Sequence, residues 1–164
     1  MHAHVVKKAK VPPMKKYQYP LFANLYDQLV ERTAEDRRLD VTRHVENVLA
    51  QLTAGKSYPG AFFYDAVFGE GSGATVDGSL RGTLGTKEAT RDLVQLIEEL
   101  TQHVSIAAES AGEPVYTLDQ VSEEWGISTK TVTRWRKRGL VARWQVIQRS
   151  NRGTSFMPPR LIVK

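Results

Sequence analysis

The chain contains no cysteine, and its last 40 residues, 125–164, contain no aspartate or glutamate. The first absence excludes disulfides, thiolate zinc sites and thiol catalysis, and it fits a reducing cytoplasm, where we expect the protein to reside. No apolar run approaches the roughly 18 residues that a membrane-spanning helix needs, so no membrane association is expected. The basic start, 1–16, lacks the apolar centre and the small-residue cleavage site of a secretory signal.

The absence of acid at the C-terminus makes the charge distribution strongly uneven. Residues 1–16 carry five lysines and no acid, a charge of +5. Residues 17–124 carry 8 basic and 18 acidic groups, a charge of −10, whereas residues 125–164 carry 10 basic groups, a charge of +10. A cationic segment of this kind is typical of proteins that bind a polyanion such as nucleic acid. A merely solvated basic face is the alternative, which the complete lack of acid disfavours.

Apolar residues at helical spacing predict a mainly α-helical protein. Residues 1–19 are expected to form a basic flexible arm and residues 20–110 an acidic helical region. Helices are predicted after Pro20, over about 36–53 and over about 87–109, with a shorter helix at AFFYDAVF.

A glycine-rich segment interrupts these helices. Residues 69–86 hold six of the twelve glycines of the chain and are predicted to be a linker. A phosphate-binding loop is disfavoured, because the spacing is not GxGxxG and no Gly-Lys-Ser/Thr triplet is present. Thr86 is predicted to cap the helix that follows.

The segment 117–139, TLDQVSEEWGISTKTVTRWRKRG, has the features of a helix-turn-helix. Thr117 and Gln120 have the spacing of a capping box that begins a short helix. Gly126 supplies the left-handed residue that ends this helix, and Ser128 caps a second helix that is predicted to end at Gly139. Two short helices across a glycine-containing turn form a helix-turn-helix.

The apolar positions of this segment predict which faces point inward. The residues expected inside are Val121, Trp125, Ile127, Val132 and Trp135. The other face of the second helix then carries hydroxyl and cationic groups, which suit phosphates and base edges because arginine matches the two acceptors of guanine. The predicted DNA-binding residues here are Ser128, Thr129, Lys130, Thr133, Arg134, Arg136, Lys137 and Arg138.

A β-hairpin is predicted after the second helix. Residues 144–148 alternate in the manner of a strand, 150–153 are a turn signal, and 154–157 would form the returning strand. A hairpin in this position is a wing, so residues 111–164 are predicted to be a winged helix-turn-helix DNA-binding domain. Arg149 and Arg152, at the tip of the wing, are predicted to reach the DNA backbone or the minor groove.

The run from GEPV at 112–115 through STKTVTRWRKRGLVAR resembles the helix-turn-helix region near the N-terminus of planctomycete-type RNA polymerase sigma factors. It is similar, more distantly, to MerR- and excisionase-type winged domains. The resemblance is strongest over about 112–143. It implies base and phosphate contacts by Ser128, Thr129, Lys130, Thr133, Arg134 and Lys137. A sigma factor also needs core polymerase-binding and promoter-binding regions, which the chain does not contain before it ends at Lys164, so full sigma activity is not expected.

The expected function is sequence-specific binding of double-stranded DNA in transcription regulation. No enzymatic activity, cofactor or metal is expected, since no paired carboxylates, metal cluster or Ser/His/Asp arrangement stands out. RNA polymerase and a second copy of the chain, bound through the helices before residue 110, are further candidate partners. The alternative is a protein-interaction module whose basic C-terminal domain docks on an acidic protein surface, such as its own N-terminal half.

Overall fold

The computed structural model describes residues 17–75, 78, 82–102, 104, 107, 112, 114–145 and 160–161. Within these residues the chain is mainly α-helical, as predicted. The helices are α1 (Pro20–Arg32), α2 (Arg38–Gln51), α3 (Gly60–Phe68), α4 (Thr86–Gln102), α5 (Leu118–Trp125) and α6 (Thr129–Arg136). The strands are β1 (Ser57–Pro59), β2 (Thr83–Gly85), β3 (Ala142–Arg143) and β4 (Arg160–Leu161). No helix in the described part of the chain combines the length and the apolar character that a bilayer crossing requires.

Helix α4 is the central element of the N-terminal part and packs against α1 and α2. Its residues Leu93, Leu96, Ile97 and Leu100 are all buried, because their spacing places them on one face of the helix. They belong to one core cluster with apolar side chains of α1, α2 and α3. The sequence predicted an apolar stripe of these four residues and Val104, and it is confirmed for the four; α4 ends at Gln102 and not near residue 109, so Val104 lies beyond the helix.

The start of α1 is fixed by acidic side chains of α4. The carboxylate of Asp92 accepts hydrogen bonds from the backbone N–H groups of Gln18 (3.0 Å) and Tyr19 (2.9 Å). The Tyr17 hydroxyl donates to Oε2 of Glu99 at 2.5 Å, and its ring is buried. Burial raises the pKa of the Asp92 carboxyl, although the two backbone N–H donors act to lower it. The predicted arm is therefore wrong for its last three residues, which belong to the fold, while 1–16 lie outside the described residues.

The glycine-rich segment 69–86 contains ordered structure that its composition did not predict. Strand β2 pairs antiparallel with β1 and buries Leu84. Gly73, in the short 3-10 turn Ser72–Thr75, lies so close to α3 that a Cβ would come within 2.5 Å of the carbonyl oxygen of Ala61. The linker prediction is wrong at these positions, because the pairing with β1 depends on residues outside the segment.

Thr86 begins α4 but does not cap it as predicted. Its hydroxyl lies 2.8 Å from the carbonyl oxygen of Thr53 and 2.7 Å from that of Lys56. Its backbone N–H also donates to the Lys56 carbonyl, at 3.0 Å. The hydroxyl therefore acts as a donor to the connection between α2 and β1, and it ties the start of α4 to that connection.

The C-terminal part has the predicted order of a helix-turn-helix followed by an antiparallel pair of strands. Helices α5 and α6 are separated only by residues 126–128, and β3 pairs with β4. The strands do not lie where the sequence predicted them, since Trp144 and Gln145 follow β3 and are not part of a strand. The remainder of the predicted hairpin, 146–157, lies outside the described residues.

A buried ion pair joins the C-terminal part to the N-terminal part. Arg143 of β3 contacts the Glu46 carboxylate of α2 at two points, with Nε 2.5 Å from Oε1 and Nη2 2.6 Å from Oε2. The two side chains are 0% and 2% exposed. Close by, the backbone N–H of Trp144 donates to the Thr101 hydroxyl of α4 at 2.9 Å. Because a two-point contact fixes the plane of the guanidinium as well as its distance, β3 is held in one orientation on α2 and α4.

We expect Glu46→Ala to lower the free energy of unfolding by roughly 3–5 kcal/mol, because the Arg143 guanidinium would stay buried without this carboxylate. Denaturant unfolding followed by circular dichroism measures the loss. Asp40→Ala is the control, since Asp40 forms an exposed ion pair with Arg37 at 3.8 Å and such pairs contribute about 0–1 kcal/mol. Equal losses in the two variants would show that the buried pair does not hold the two parts together.

Candidate nucleic-acid interface

The turn between α5 and α6 has the local geometry that the sequence predicts. The Thr117 hydroxyl accepts from the Gln120 N–H at 3.0 Å, and the Gln120 side chain accepts from the Thr117 N–H at 2.8 Å, which completes the capping box. Gly126 is left-handed, with φ 63° and ψ 32°, a conformation that favours glycine. The Ser122 hydroxyl donates to the carbonyl of Ile127. Together these contacts set the direction in which α6 leaves the turn.

Ser128 caps α6 as predicted. Its Oγ accepts from the Thr131 N–H at 3.2 Å and lies 3.0 Å from the Thr131 hydroxyl oxygen. The Ser128 side chain therefore caps the start of α6. Because its hydroxyl already bonds to Thr131, Ser128 positions the helix more than it contacts a ligand. At the other end α6 stops at Arg136, before the predicted Gly139, where a φ of 118° redirects the chain.

The inner side of α6 is anchored by a small apolar cluster. Its buried members are Val121 of α5, Val132 of α6 and Ala142 of β3, surrounded by partly buried Tyr116, Leu118, Ile127 and Leu140. The inward prediction is thus confirmed for Val121 and Val132. It is wrong for Trp125, which is 42% exposed. Its ring lies 5.8 Å from that of Trp135, which is only partly buried, because α5 ends at Trp125 and leaves the aromatic pair at the edge of the cluster.

The opposite face of α6 is exposed and cationic. The exposed residues are Thr129, Lys130, Thr133, Arg134, Lys137 and Arg138, as the sequence predicted. At 3.6 residues per turn, the four positions Lys130, Thr133, Arg134 and Lys137 fall within an arc of about 100°. This set of side chains, called the α6 arc below, combines three positive charges with one hydroxyl on a single face.

Arg136 does not lie on the α6 arc, contrary to prediction. Its guanidinium binds the Glu98 carboxylate of α4, and the two side chains are 20% and 16% exposed. Position 136 is four residues after buried Val132 and therefore lies on the same side of the helix. Arg136 thus links α6 to α4. Arg149 and Arg152, the two predicted contacts of the wing, lie outside the described residues and stay predictions.

Sequence reasoning missed a second element beside the α6 arc. A groove of about 450 Å³ lies between α4 and the end of α6. We call it the α4–α6 groove, and its charged lining residues are Lys87, Glu88 and Arg91 of α4 with Arg134, Lys137 and Arg138. Lys87 and Arg91 are four residues apart and so share one helix face. The four-residue spacing of these two cations was the only sign of the groove in the sequence. Spacing alone does not show that this face of α4 lies opposite α6.

Comparison of the chain with protein-family models finds no match. Comparisons with curated proteins and with solved structures find no match either. The resemblance of residues 112–143 to a sigma-factor helix-turn-helix therefore stays a prediction.

We expect Val132→Ala to destabilise the protein by roughly 1–3 kcal/mol, because it removes two buried methyl groups from the cluster that anchors α6. Trp125→Ala should cost less, since a large part of that ring already contacts water. Thermal or denaturant unfolding of both variants measures the difference. A larger loss for Trp125→Ala would show that the aromatic pair, and not the Val121–Val132 contact, anchors α6.

Proposed function

We propose that this protein binds double-stranded DNA with sequence specificity through α6, as a non-catalytic regulator of transcription. The observation that carries the proposal is the exposed α6 arc. The major groove of B-DNA admits an α-helix. Helix α6 is attached by its other sides, to α5 and β3 through Val132 and to α4 through Arg136. Within the described residues, those attachments leave the side chains of the arc exposed.

The α6 arc contains groups that suit bases and groups that suit phosphates. Arg134 offers a fork of donors that matches N7 and O6 of guanine. Lys130 and Lys137 supply compact positive charges suited to phosphates. The Thr133 hydroxyl donates to the Thr129 carbonyl at 2.9 Å, so towards a base it can only accept. It therefore suits the amino group of adenine or cytosine.

Further partners would supplement this interface. A single DNA-binding module buries a modest surface, on the order of 600–1,000 Å² of protein. A second copy of the chain, bound through the N-terminal helices, or RNA polymerase would extend the assembly. The resemblance of residues 112–143 to sigma-factor and MerR-type domains supports a role in transcription, and the cytoplasm is the expected compartment.

One observation favours the alternative function, in which the basic C-terminal part docks on an acidic protein surface. Arg136 and Arg143 bind Glu98 and Glu46 of the N-terminal part. These two contacts lie away from the α6 arc and join the two parts of one chain, so the cations of the arc remain for an external polyanion. A preference among duplex sequences separates the two functions, because a surface built for an acidic protein would respond only to the charge of DNA.

Selection of bound duplexes from a random-sequence pool, with the purified full-length chain, tests the proposed function. We expect enrichment of a common motif over successive rounds. The salt concentration must be held constant, because affinity for DNA falls steeply with salt. A pool that stays random would contradict sequence-specific DNA binding and favour docking on an acidic protein surface.

Arg134→Ala should weaken binding to the selected motif by about 1–3 kcal/mol and relax the preference at one base pair, because a bidentate contact to guanine would be lost. Arg152→Ala should instead weaken all duplexes alike, as expected for a phosphate contact. Arg37→Ala, an exposed arginine outside the helix-turn-helix, is the matched control. Binding of the motif and of scrambled duplexes is compared for each variant, and a uniform loss in Arg134→Ala would exclude base reading by this residue.

A further inference from the structure

The α4–α6 groove is lined by five cations and one acid. The cations are Lys87, Arg91, Arg134, Lys137 and Arg138, all of them exposed, and the acid is Glu88. Two of the five come from the region 17–124, in which acids outnumber bases 18 to 8. The cationic surface of α6 therefore continues across the groove onto a part of the chain whose composition suggests the opposite charge.

Most acidic side chains of α4 point to partners outside the α4–α6 groove. Asp92 accepts from the backbone at the start of α1, and Glu99 accepts from Tyr17. Glu98 binds Arg136, the cation of α6 that does not belong to the arc. These contacts neutralise or bury three carboxylates, so the wall that α4 presents to the end of α6 is basic in spite of the acidic composition.

Two contacts join α4 to the segment that carries α6: Arg136 binds Glu98, and the N–H of Trp144 donates to the Thr101 hydroxyl. Like charges on facing walls repel each other. An anion between the walls would relieve this repulsion.

The shape of the groove favours a linear polyanion over a single ion. Arg91 and Lys137 also line a second cavity, to which α4 contributes Gln95 and Glu98 and α6 contributes Thr133 and Arg136. The two cavities, about 450 and 490 Å³ in volume, share Arg91 and Lys137, and the Glu98 carboxylate in the second is paired with Arg136. Regularly spaced charges, such as those of a phosphodiester chain, would extend along both cavities.

We propose that the α4–α6 groove binds one strand of the phosphate backbone of the duplex that α6 reads, with Lys87 and Arg91 contacting phosphates beside the major groove. This inference rests on the proposed function and extends the DNA contact from the helix-turn-helix to the N-terminal part. Contacts to the backbone orient a protein on the duplex without reading its sequence. Helix α4 would therefore set the position of α6 in the major groove.

The double variant Lys87→Ala, Arg91→Ala tests the inference in the full-length chain. Each phosphate contact contributes about 0.9 to the slope of log affinity against log salt, so the slope should decrease in magnitude by about 2. The preferred motif should stay the same and all duplexes should bind more weakly. Both side chains are exposed, so the unfolding transition should match that of the wild type.

The matched control is Arg32→Ala, Arg37→Ala, which removes the same charge from two exposed positions, the last residue of α1 and the 3-10 turn Glu35–Arg37 that follows it. Helix α1 has 13 residues, so its two ends are about 18 Å apart at 1.5 Å per residue. The control should keep the wild-type slope. An equal change in both double variants would overturn the inference, since the effect would then reflect net charge and not the groove.

Failure of the inference and failure of the proposed function give different results. A wild-type slope in Lys87→Ala, Arg91→Ala, together with loss of the motif preference in Arg134→Ala, would overturn the groove contact and keep specific reading by α6. A reduced slope in a protein that shows no sequence preference would overturn the proposed function and leave the groove as a binding site for phosphate backbone.

Discussion

Arg143 is fully removed from solvent, and a buried guanidinium is tolerated here because the Glu46 carboxylate meets it at two points. Removing two charges from water costs several kcal/mol for each ion, and their attraction offsets this cost only when the geometry is good. Displacing either partner would leave the other buried without this two-point contact. The place of β3, and with it of α5 and α6, therefore depends on this contact across 97 residues of chain.

The division of charge between the two parts of the chain has a different meaning in the fold than in the sequence. Taken as sums, −10 and +10 suggest two bodies that attract each other over their whole surfaces. In the structure, individual acids have individual partners: Glu46 binds Arg143, Glu98 binds Arg136, and Asp92 and Glu99 secure the start of α1. Attraction is local at these contacts, and basic side chains remain on the outside of α6.

Local signals predicted local structure well. The capping box at Thr117, the left-handed Gly126 and the stripe of α4 each depend on residues a few positions apart, and each was found as predicted. The contacts that the sequence did not predict join distant segments: β2 with β1, Arg136 with Glu98, and α4 with the end of α6. The prediction that Trp125 is buried was wrong for a related reason. Hydrophobicity alone does not show that α5 ends at this residue, at the edge of the apolar cluster that anchors α6.

All three tryptophans of the chain, Trp125, Trp135 and Trp144, lie in the C-terminal part, whereas the core of α1 to α4 contains phenylalanine and tyrosine. Tryptophan fluorescence therefore reports on the helix-turn-helix and its junction, while far-ultraviolet circular dichroism reports on the helices of both parts. Coincidence of the two signals on unfolding is the mark of one cooperative unit. The aromatic pair at the edge of the small cluster thus provides an intrinsic optical probe beside the surface proposed to meet DNA.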